Sequence, residues 1–293
     1  MKAFGNYHPF VLLIYFLSVL LIAMFISNPV LQILALLGGI LFCVTLQKRS
    51  AIAGNIGFYI PLFLMLAITN PIFSHNGVTP LFFLNGNPVT LEAFLYGIAI
   101  AVMVVGVILW CKCYSEIMTS DKFLYLFGKA IPKLSLVLSM ALRFIPMFKR
   151  QMHKFSRAQK AMGLYSSKSF MDKIRSYMRV FMAMMSWSLE NAMETSASMK
   201  ARGYGIKGRT NFSLFRFYAG DAALLAVCVC LLAVTITGTA MGETVFYYYP
   251  RISELNLSPY AITVYAAFGL LSFLPFIIEA KEVLTWKYYI SKI

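Results

Sequence analysis

The sequence predicts an all-α membrane protein with about six transmembrane helices and additional cytoplasmic amphipathic helices. Its 293 residues are 60% hydrophobic and only 13% charged, which is far from the balance of a soluble domain. A membrane-spanning helix needs about 20 mostly apolar residues. Six stretches meet this requirement: Phe10–Ser27, Pro29–Leu46, Ala51–Thr69, Leu91–Trp110, Ala219–Gly238 and Tyr260–Glu279. No small-x-small cleavage site follows the first stretch, so we expect it to remain in the mature chain.

The distribution of charge predicts how these helices cross the membrane. Of the 26 Lys and Arg residues, 19 lie between Cys111 and Tyr218, whereas Asn70–Thr90 contains none. Cytoplasmic loops of membrane proteins are enriched in Lys and Arg. We therefore expect residues 111–218 and both chain termini to be cytoplasmic, and residues 70–90 to lie outside a bacterial or archaeal cell membrane.

This topology divides the chain into three segments. Residues 1–113 are predicted to form an N-terminal four-span membrane region, and residues 219–293 a C-terminal two-span region. Residues 114–218 between them form a cytoplasmic region of amphipathic helices. The apolar run Leu134–Leu142 in this region is too short to cross a membrane, and we expect it to lie in the interface or under the helix bundle.

The cytoplasmic region is predicted to contain three amphipathic helices after that run. From Phe148 to Gly163, apolar side chains recur every three or four residues while basic side chains line another face. A second helix covers residues 168–185, and a third runs from about Trp187 to Arg202. Gly203 is a natural end for the third helix, because glycine adopts the left-handed conformation without penalty.

Two interpretations of these basic helices are open on pattern alone. The first is that they are surface helices, since anionic membrane lipid holds many such helices at the bilayer surface; membrane lipid is therefore an expected partner. In this interpretation, capping alone explains an Arg followed by Gly at a helix end. The second interpretation is docking on a protein partner. Nucleic acid is not expected, because the membrane topology accounts for the positive charge.

Two sequence motifs favour the second interpretation. The first is Arg143-Phe144-Ile145-Pro146 followed by Ser156-Arg157-Ala158-Gln159-Lys160-Ala161-Met162-Gly163, and the second is Ser198-Met199-Lys200-Ala201-Arg202-Gly203-Tyr204-Gly205. Together they resemble the paired coupling helices of the T components of energy-coupling factor (ECF) transporters, the CbiQ- or EcfT-like family of ABC transporter subunits. In that family each coupling helix ends in an Ala-Arg-Gly-like motif. The layout resembles the family over almost the whole chain.

The resemblance implies a non-catalytic membrane subunit of an ATP-driven micronutrient importer, with no cofactor of its own. In the family, the coupling helices dock on two ABC ATPase subunits, which are either identical or different. The T component transmits their conformational change to a small membrane-embedded S component, which binds the vitamin or metal ion. The implied ATPase-coupling residues are those of the two motifs: Ala161, Met162, Gly163, Ala201, Arg202 and Gly203.

The first motif departs from the family pattern, because Met162 stands where the family usually has Arg. Methionine is a flexible filler of apolar grooves, so we expect this end to dock by packing. The supporting residues Arg157, Gln159 and Lys160 are candidates to contribute polar contacts and charge.

A cluster of methionines is the candidate contact for the S component. Met178, Met182 and Met185 would form an adaptable apolar platform on the second and third amphipathic helices. Ordinary helix packing is the alternative for this cluster.

Other functional classes fit the sequence less well. The three histidines are far apart, and the H-E-x-x-H, G-x-S-x-G and Walker motifs are missing from the sequence, so we expect neither an enzyme nor an ATPase. Cys111 and Cys113 lack a second pair or a nearby His, so no metal site is expected. A conventional ABC importer permease is an alternative, although it would carry one coupling loop rather than two. A channel or membrane scaffold is a third possibility and would have no ATPase partner.

Overall fold

A computed structural model describes residues 3–47, 49–74, 76–84, 87–163, 170–204, 206 and 215–291, and most of them are helical. A short 3₁₀ turn, Phe4–Asn6, precedes the first helix. The helices are α1 (Pro9–Phe25), α2 (Pro29–Leu46), α3 (Arg49–Phe73), α4 (Leu91–Ile117), α5 (Ser120–Ala130), α6 (Pro132–Ala161), α7 (Phe170–Ala201), α8 (Ala219–Ala240) and α9 (Pro259–Ile290). The predicted all-α class is confirmed.

Polar caps determine where several apolar helices begin. The Asn28 side chain accepts a hydrogen bond from the Val30 N–H at 3.0 Å, and the Ser258 hydroxyl accepts one from the Ala261 N–H at 3.1 Å. Each cap satisfies a backbone donor that the first turn leaves free. A proline follows each cap as the first helical residue, where its missing N–H has no consequence.

Five helices in the described part of the chain are long and apolar enough to cross a membrane: α2, α3 from Ile56 onward, α4, α8 and α9. The first predicted span corresponds to α1, whose 17 residues lie at the lower end of the range of about 17–25. The two largest extensions past a predicted end are those of α4, which continues to Ile117, and α9, which continues to Ile290. The chain is therefore a multi-pass α-helical membrane protein.

A β-hairpin that the sequence analysis did not predict connects α3 and α4. Its strands, β1 (Pro80–Leu84) and β2 (Asn87–Thr90), pair antiparallel. Val89 and Thr90 of β2 are buried, whereas Leu81 and Phe83 of β1 are exposed. The Asn-Gly pair at positions 85–86 is the sequence signal that would have predicted the hairpin.

The short helix α1 is held by an aromatic core. Trp110 of α4 is fully buried, and its indole N–H donates to the Ala35 carbonyl of α2 at 2.9 Å. Its ring meets Tyr15 and Phe16 of α1 edge-on, with centroids 6.1 and 6.2 Å apart. Because buried aromatic side chains contribute a large apolar area to a core, this cluster fixes α1 against α2 and α4.

The chain divides into two compact units. The membrane unit comprises Met1–Phe123 and Phe215–Ile293, and the amphipathic unit comprises Leu124–Leu214. The membrane unit thus combines apolar helices from both ends of the sequence. The three-segment division by topology, at residues 113 and 218, remains a prediction.

The amphipathic unit differs from the prediction in how its helices are divided. The short apolar run and the first predicted helix are one continuous helix, α6, which contains Pro146 in its interior. The second and third predicted helices are likewise one helix, α7. The predicted boundary at Ser186–Trp187 has neither Gly nor Pro to end a helix, and the periodic pattern continues through it.

Candidate functional site

The two sequence motifs form helix ends with the same backbone geometry. Gly163 follows α6 with a φ of +75°, and Gly203 follows α7 with a φ of +79°. The Gly163 N–H donates to the Lys160 carbonyl, and the Gly203 N–H donates to the Lys200 carbonyl, each at 3.0 Å. Both ends therefore use glycine in the left-handed conformation, which side-chain-bearing residues adopt only with strain.

The end of α7 forms a complete Schellman motif. In addition to the Gly203 bond, the Tyr204 N–H reaches back to the Met199 carbonyl at 3.0 Å. These two bonds satisfy carbonyls that the helix end would otherwise leave free. Arg202 is thereby placed at the C-cap position with its backbone fixed, and its side chain is exposed.

The two ends also share a residue that the sequence analysis did not include in the site. Lys160-Ala161-Met162-Gly163 and Lys200-Ala201-Arg202-Gly203 are 40 residues apart and align position by position. A lysine in the last turn interacts favourably with the carbonyl end of the helix. Lys200 therefore occupies the position that Lys160 has in the first end, and the repeated Lys-Ala-x-Gly is the signal that reveals it.

The side chains at both ends are exposed. Ala161 and Ala201 are exposed, and Met162 has 66% of its surface accessible. Small alanine side chains permit close approach of another backbone. Each end thus presents a lysine, a small residue and one long side chain, which is Met162 in the first end and Arg202 in the second.

The supporting residues of the first end have different surroundings. Arg157 and Lys160 are exposed, whereas Gln159 is half-buried. The Gln159 Oε1 atom is buried and has no hydrogen-bond partner among the described residues. Helix α6 contains seven Lys and Arg residues and no Asp or Glu, so its end is positively charged although Met162 is neutral.

The two helices touch through aromatic side chains far from their ends. The rings of Phe148 on α6 and Trp187 on α7 meet edge-on with centroids 5.6 Å apart. At 1.5 Å per residue, Ala161 and Ala201 each lie about 20 Å along their helices from this contact. The two ends therefore have nearly equal reach from the point where the helices are joined.

The predicted methionine cluster is part of a longer exposed stripe on α7. Met178, Met182 and Met185 have 54%, 63% and 47% of their surfaces accessible. Exposed apolar residues continue this spacing of three or four in both directions: Met171, Ile174, Leu189 and Met193. Ser176 and Val180 of the same helix are buried. We call these seven residues from Met171 to Met193 the methionine stripe; the predicted contact residues Met178, Met182 and Met185 lie at its centre.

No group of three or more His, Cys, Asp or Glu residues that could hold a metal ion occurs in the described part of the chain. All five cysteines have free thiols; Cys111 and Cys230 are exposed.

The left-handed glycines lead to a first prediction. Gly163→Ala and Gly203→Ala should each destabilise a helix end by about 1 kcal/mol, because a Cβ disfavours positive φ. Gly203→Ala should cost more, since its Cβ would lie 3.0 Å from Ile206 Cδ1, whereas the Gly163 position is open. Hydrogen exchange of the last helical turns is the measurement, and Gly220→Ala, with open space and an ordinary φ, is the control. Unchanged exchange in Gly203→Ala would contradict the left-handed cap.

Fold and site together define a multi-pass α-helical membrane protein with a separate unit of two long amphipathic helices and matching exposed ends. The chain belongs to the CbiQ family of cobalt transport proteins, whose family model matches residues 7–212. The family resemblance inferred from the two motifs is confirmed.

Curated relatives have names from the same transporter class. The energy-coupling factor transporter transmembrane protein EcfT of Listeria innocua is 36% identical over 97 residues, which cover 32% of this chain and 37% of the relative. EcfT of Bacillus selenitireducens is 30% identical over 112 residues, covering 38% of this chain and 42% of the relative. EcfT of Staphylococcus aureus is 25% identical over 179 residues, covering 57% and 67%. The chain thus spans about two fifths of the length of the first two relatives.

Proposed function

We propose that this chain is the T subunit of an energy-coupling factor importer, which transmits conformational change from ATPase subunits to a substrate-binding membrane partner. The pair of matching exposed helix ends carries this proposal. One end would suffice to contact one partner, whereas two ends with matching backbone geometry, at nearly equal distance from a common contact, suit the two ATPase subunits of an ABC transporter. The relatives' names support the same transporter class.

Arg202 is the residue through which the second end would bind a carboxylate of the partner. Its guanidinium is a rigid fork of donors that matches a carboxylate, and the fixed C-cap presents it to solvent. Docking would place the α7 end in a groove of an ATPase subunit with Arg202 at its tip, a form of helix-in-groove recognition. The α6 end would dock mainly through Met162, with charge from Arg157 and Lys160.

The methionine stripe is the proposed contact for the S component. It presents seven apolar side chains along about 33 Å of helix, and its methionines adapt to surfaces that slide. Exposed apolar surface of this extent is typical of an interaction site. Closure of the ATPases on ATP would move α6 and α7, and the stripe would transmit this motion to the S component.

The substrate belongs to the partner in this proposal. The family description names cobalt transport, and vitamins are the other class implied by the resemblance. The chain itself would be non-catalytic, with ATP bound and hydrolysed by the ATPase subunits.

Copurification tests the proposal. The full chain should be expressed with an affinity tag from its own genome and extracted in mild detergent. We expect two ATP-binding subunits, identical or different, and a small membrane protein to copurify with it. ATPase subunits with a second conventional permease, and no small membrane protein, would support the permease alternative. Recovery of the chain without any ATP-binding protein would refute the proposal and leave a channel or scaffold.

The proposed topology places both termini and the amphipathic unit in the cytoplasm and the β-hairpin outside the cell membrane. The second prediction follows from this placement. Asn76 is exposed and lies in the segment that lacks Lys and Arg. With the exposed Cys111 and Cys230 replaced by Ser, Asn76→Cys should react with a membrane-impermeant thiol reagent on intact cells, while Arg179→Cys on α7 should react only after lysis. The reverse pattern would contradict the topology and, with it, cytoplasmic coupling.

A further inference from the structure

The residues before α1 are held inside the membrane unit. Phe4 and Gly5 are buried, and the Phe4 ring packs edge-on against Tyr15 with centroids 5.1 Å apart. The Phe4 N–H donates to Oε1 of Glu279 at 3.0 Å, a carboxylate that is 4% exposed. Both the side chain and the backbone of this segment are therefore anchored, since hydrogen bonds to a buried carboxylate are strong.

The same segment binds the chain where it leaves the membrane unit. The Lys122 ammonium donates to the Gly5 carbonyl and to the Ile117 carbonyl at the end of α4. The membrane unit ends one residue later, at Phe123. Lys122 thus links the outgoing connection to the N-terminal segment through two backbone acceptors.

The segment also binds the chain where it returns at Phe215. Asp221, at the start of α8, is 4% exposed. One of its oxygens accepts from the His8 N–H at 2.8 Å, and the other accepts from the Tyr218 N–H at 2.9 Å. The rings of His8 and Phe217 meet edge-on at 5.3 Å. Gly5 and His8 are at most about 10 Å apart along the chain, so one short segment holds both connections.

We propose that residues 4–8 form an N-terminal clasp that positions both connections of the amphipathic unit, with Lys122 and Asp221 as the positioning residues. The proposal rests on the proposed coupling function. Force on either connection would pass through the clasp to the buried core of α1 and to α8 and α9. Without the clasp, each connection would move independently, and motion of the amphipathic unit would be dissipated in the connecting chain.

The test measures how tightly the clasp holds the two connections in the full chain. Nitroxide labels are placed at Asp121 and Arg216, exposed positions beside the outgoing and the returning connection, and the distance distribution between them is recorded in lipid nanodiscs. The exposed Cys111 and Cys230 are first replaced by Ser. Lys122→Met combined with Asp221→Asn should broaden the distribution to about twice its original width.

Matched variants separate positioning from general stability. Lys122→Arg retains donors for both carbonyls and should restore the narrow distribution. Lys133→Met removes an exposed lysine near the start of α6 and should have no effect. If the double variant does not fold, Lys122→Met alone carries the test, with a smaller broadening. A folded Lys122→Met protein of lower thermal stability but unchanged width would overturn the clasp.

The fate of the clasp and that of the proposed function can be told apart. In the complex with ATPase subunits, we expect the double variant to retain ATP hydrolysis while substrate uptake falls by at least half. Broadening in the isolated chain without any copurifying ATPase would support the clasp and reject the coupling function. Normal copurification of the ATPase subunits together with an unchanged width of the distance distribution would support the coupling function and reject the clasp.

Discussion

Replacing Met162 with aspartate should weaken assembly with one ATPase subunit by about a hundredfold or more. Met162 is 66% exposed at the C-cap of α6, so the free chain accommodates an aspartate there at a cost of about 0.3–1 kcal/mol from the helix dipole. In the proposed complex the same position lies in an apolar groove. An uncompensated buried charge costs on the order of 3–5 kcal/mol, and each 1.4 kcal/mol is about tenfold in affinity.

Two neutral variants isolate the charge. Met162→Leu keeps the apolar volume and should weaken binding of the ATPase subunit by less than about 1.5 kcal/mol. Met162→Asn removes packing without adding charge, so its loss of binding should lie between those of the Leu and Asp variants. The measurement is the amount of ATPase subunit that copurifies with each variant, normalised to inserted protein. Equal recovery with Asp and Leu would show that Met162 lies outside the interface.

The two helix ends are expected to contribute unequally. Arg202 offers directional hydrogen bonds, while Met162 offers packing within a helix that carries seven basic residues and no acidic ones. A pair of non-identical ATPase subunits would suit this difference, because each groove could match one end. Identical subunits would have to accept both an arginine and a methionine at the same place in the groove.

The local parts of this structure were predictable from the sequence. Hydrophobic length located the apolar helices, because a membrane span must contain about 20 apolar residues. The glycine at 203 predicted its helix end, because the left-handed conformation leaves few alternatives to glycine. The Asn-Gly pair at 85–86 is also a local signal for a hairpin turn, so the β-hairpin belongs with the features that the sequence encodes locally.

The non-local parts were not predictable. Nothing in the pattern around Glu279 indicates that it accepts a hydrogen bond from Phe4, 275 residues away, or that Asp221 binds His8. Periodicity describes one helix at a time, so it also gave no account of the contact between Phe148 and Trp187. The continuous α6 was missed because Pro146 normally ends or kinks a helix, and only the surrounding chain decides which outcome occurs.

Replacing Arg202 with glutamate should have the largest effect on coupling. If the guanidinium pairs with a partly buried carboxylate of an ATPase subunit, Arg202→Ala leaves that carboxylate unpaired, at a cost on the order of 2–5 kcal/mol. Arg202→Glu adds repulsion between two carboxylates and should weaken binding of the ATPase subunit more than Arg202→Ala does. Arg202→Lys keeps the charge but not the bidentate geometry, so its loss should be intermediate.

The surroundings of Arg202 allow an effect on docking to be separated from an effect on folding. The residue is exposed at the end of α7, and its interaction with the helix end contributes only about 0.3–1 kcal/mol, so each variant should insert and fold normally. Arg179→Glu is the matched control, because it makes the same charge change at an exposed position of the same helix. Substrate uptake and ATPase copurification are measured per inserted molecule. Full uptake and full copurification in Arg202→Glu would show that Arg202 only caps the helix, and would contradict docking of an ATPase subunit on the end of α7.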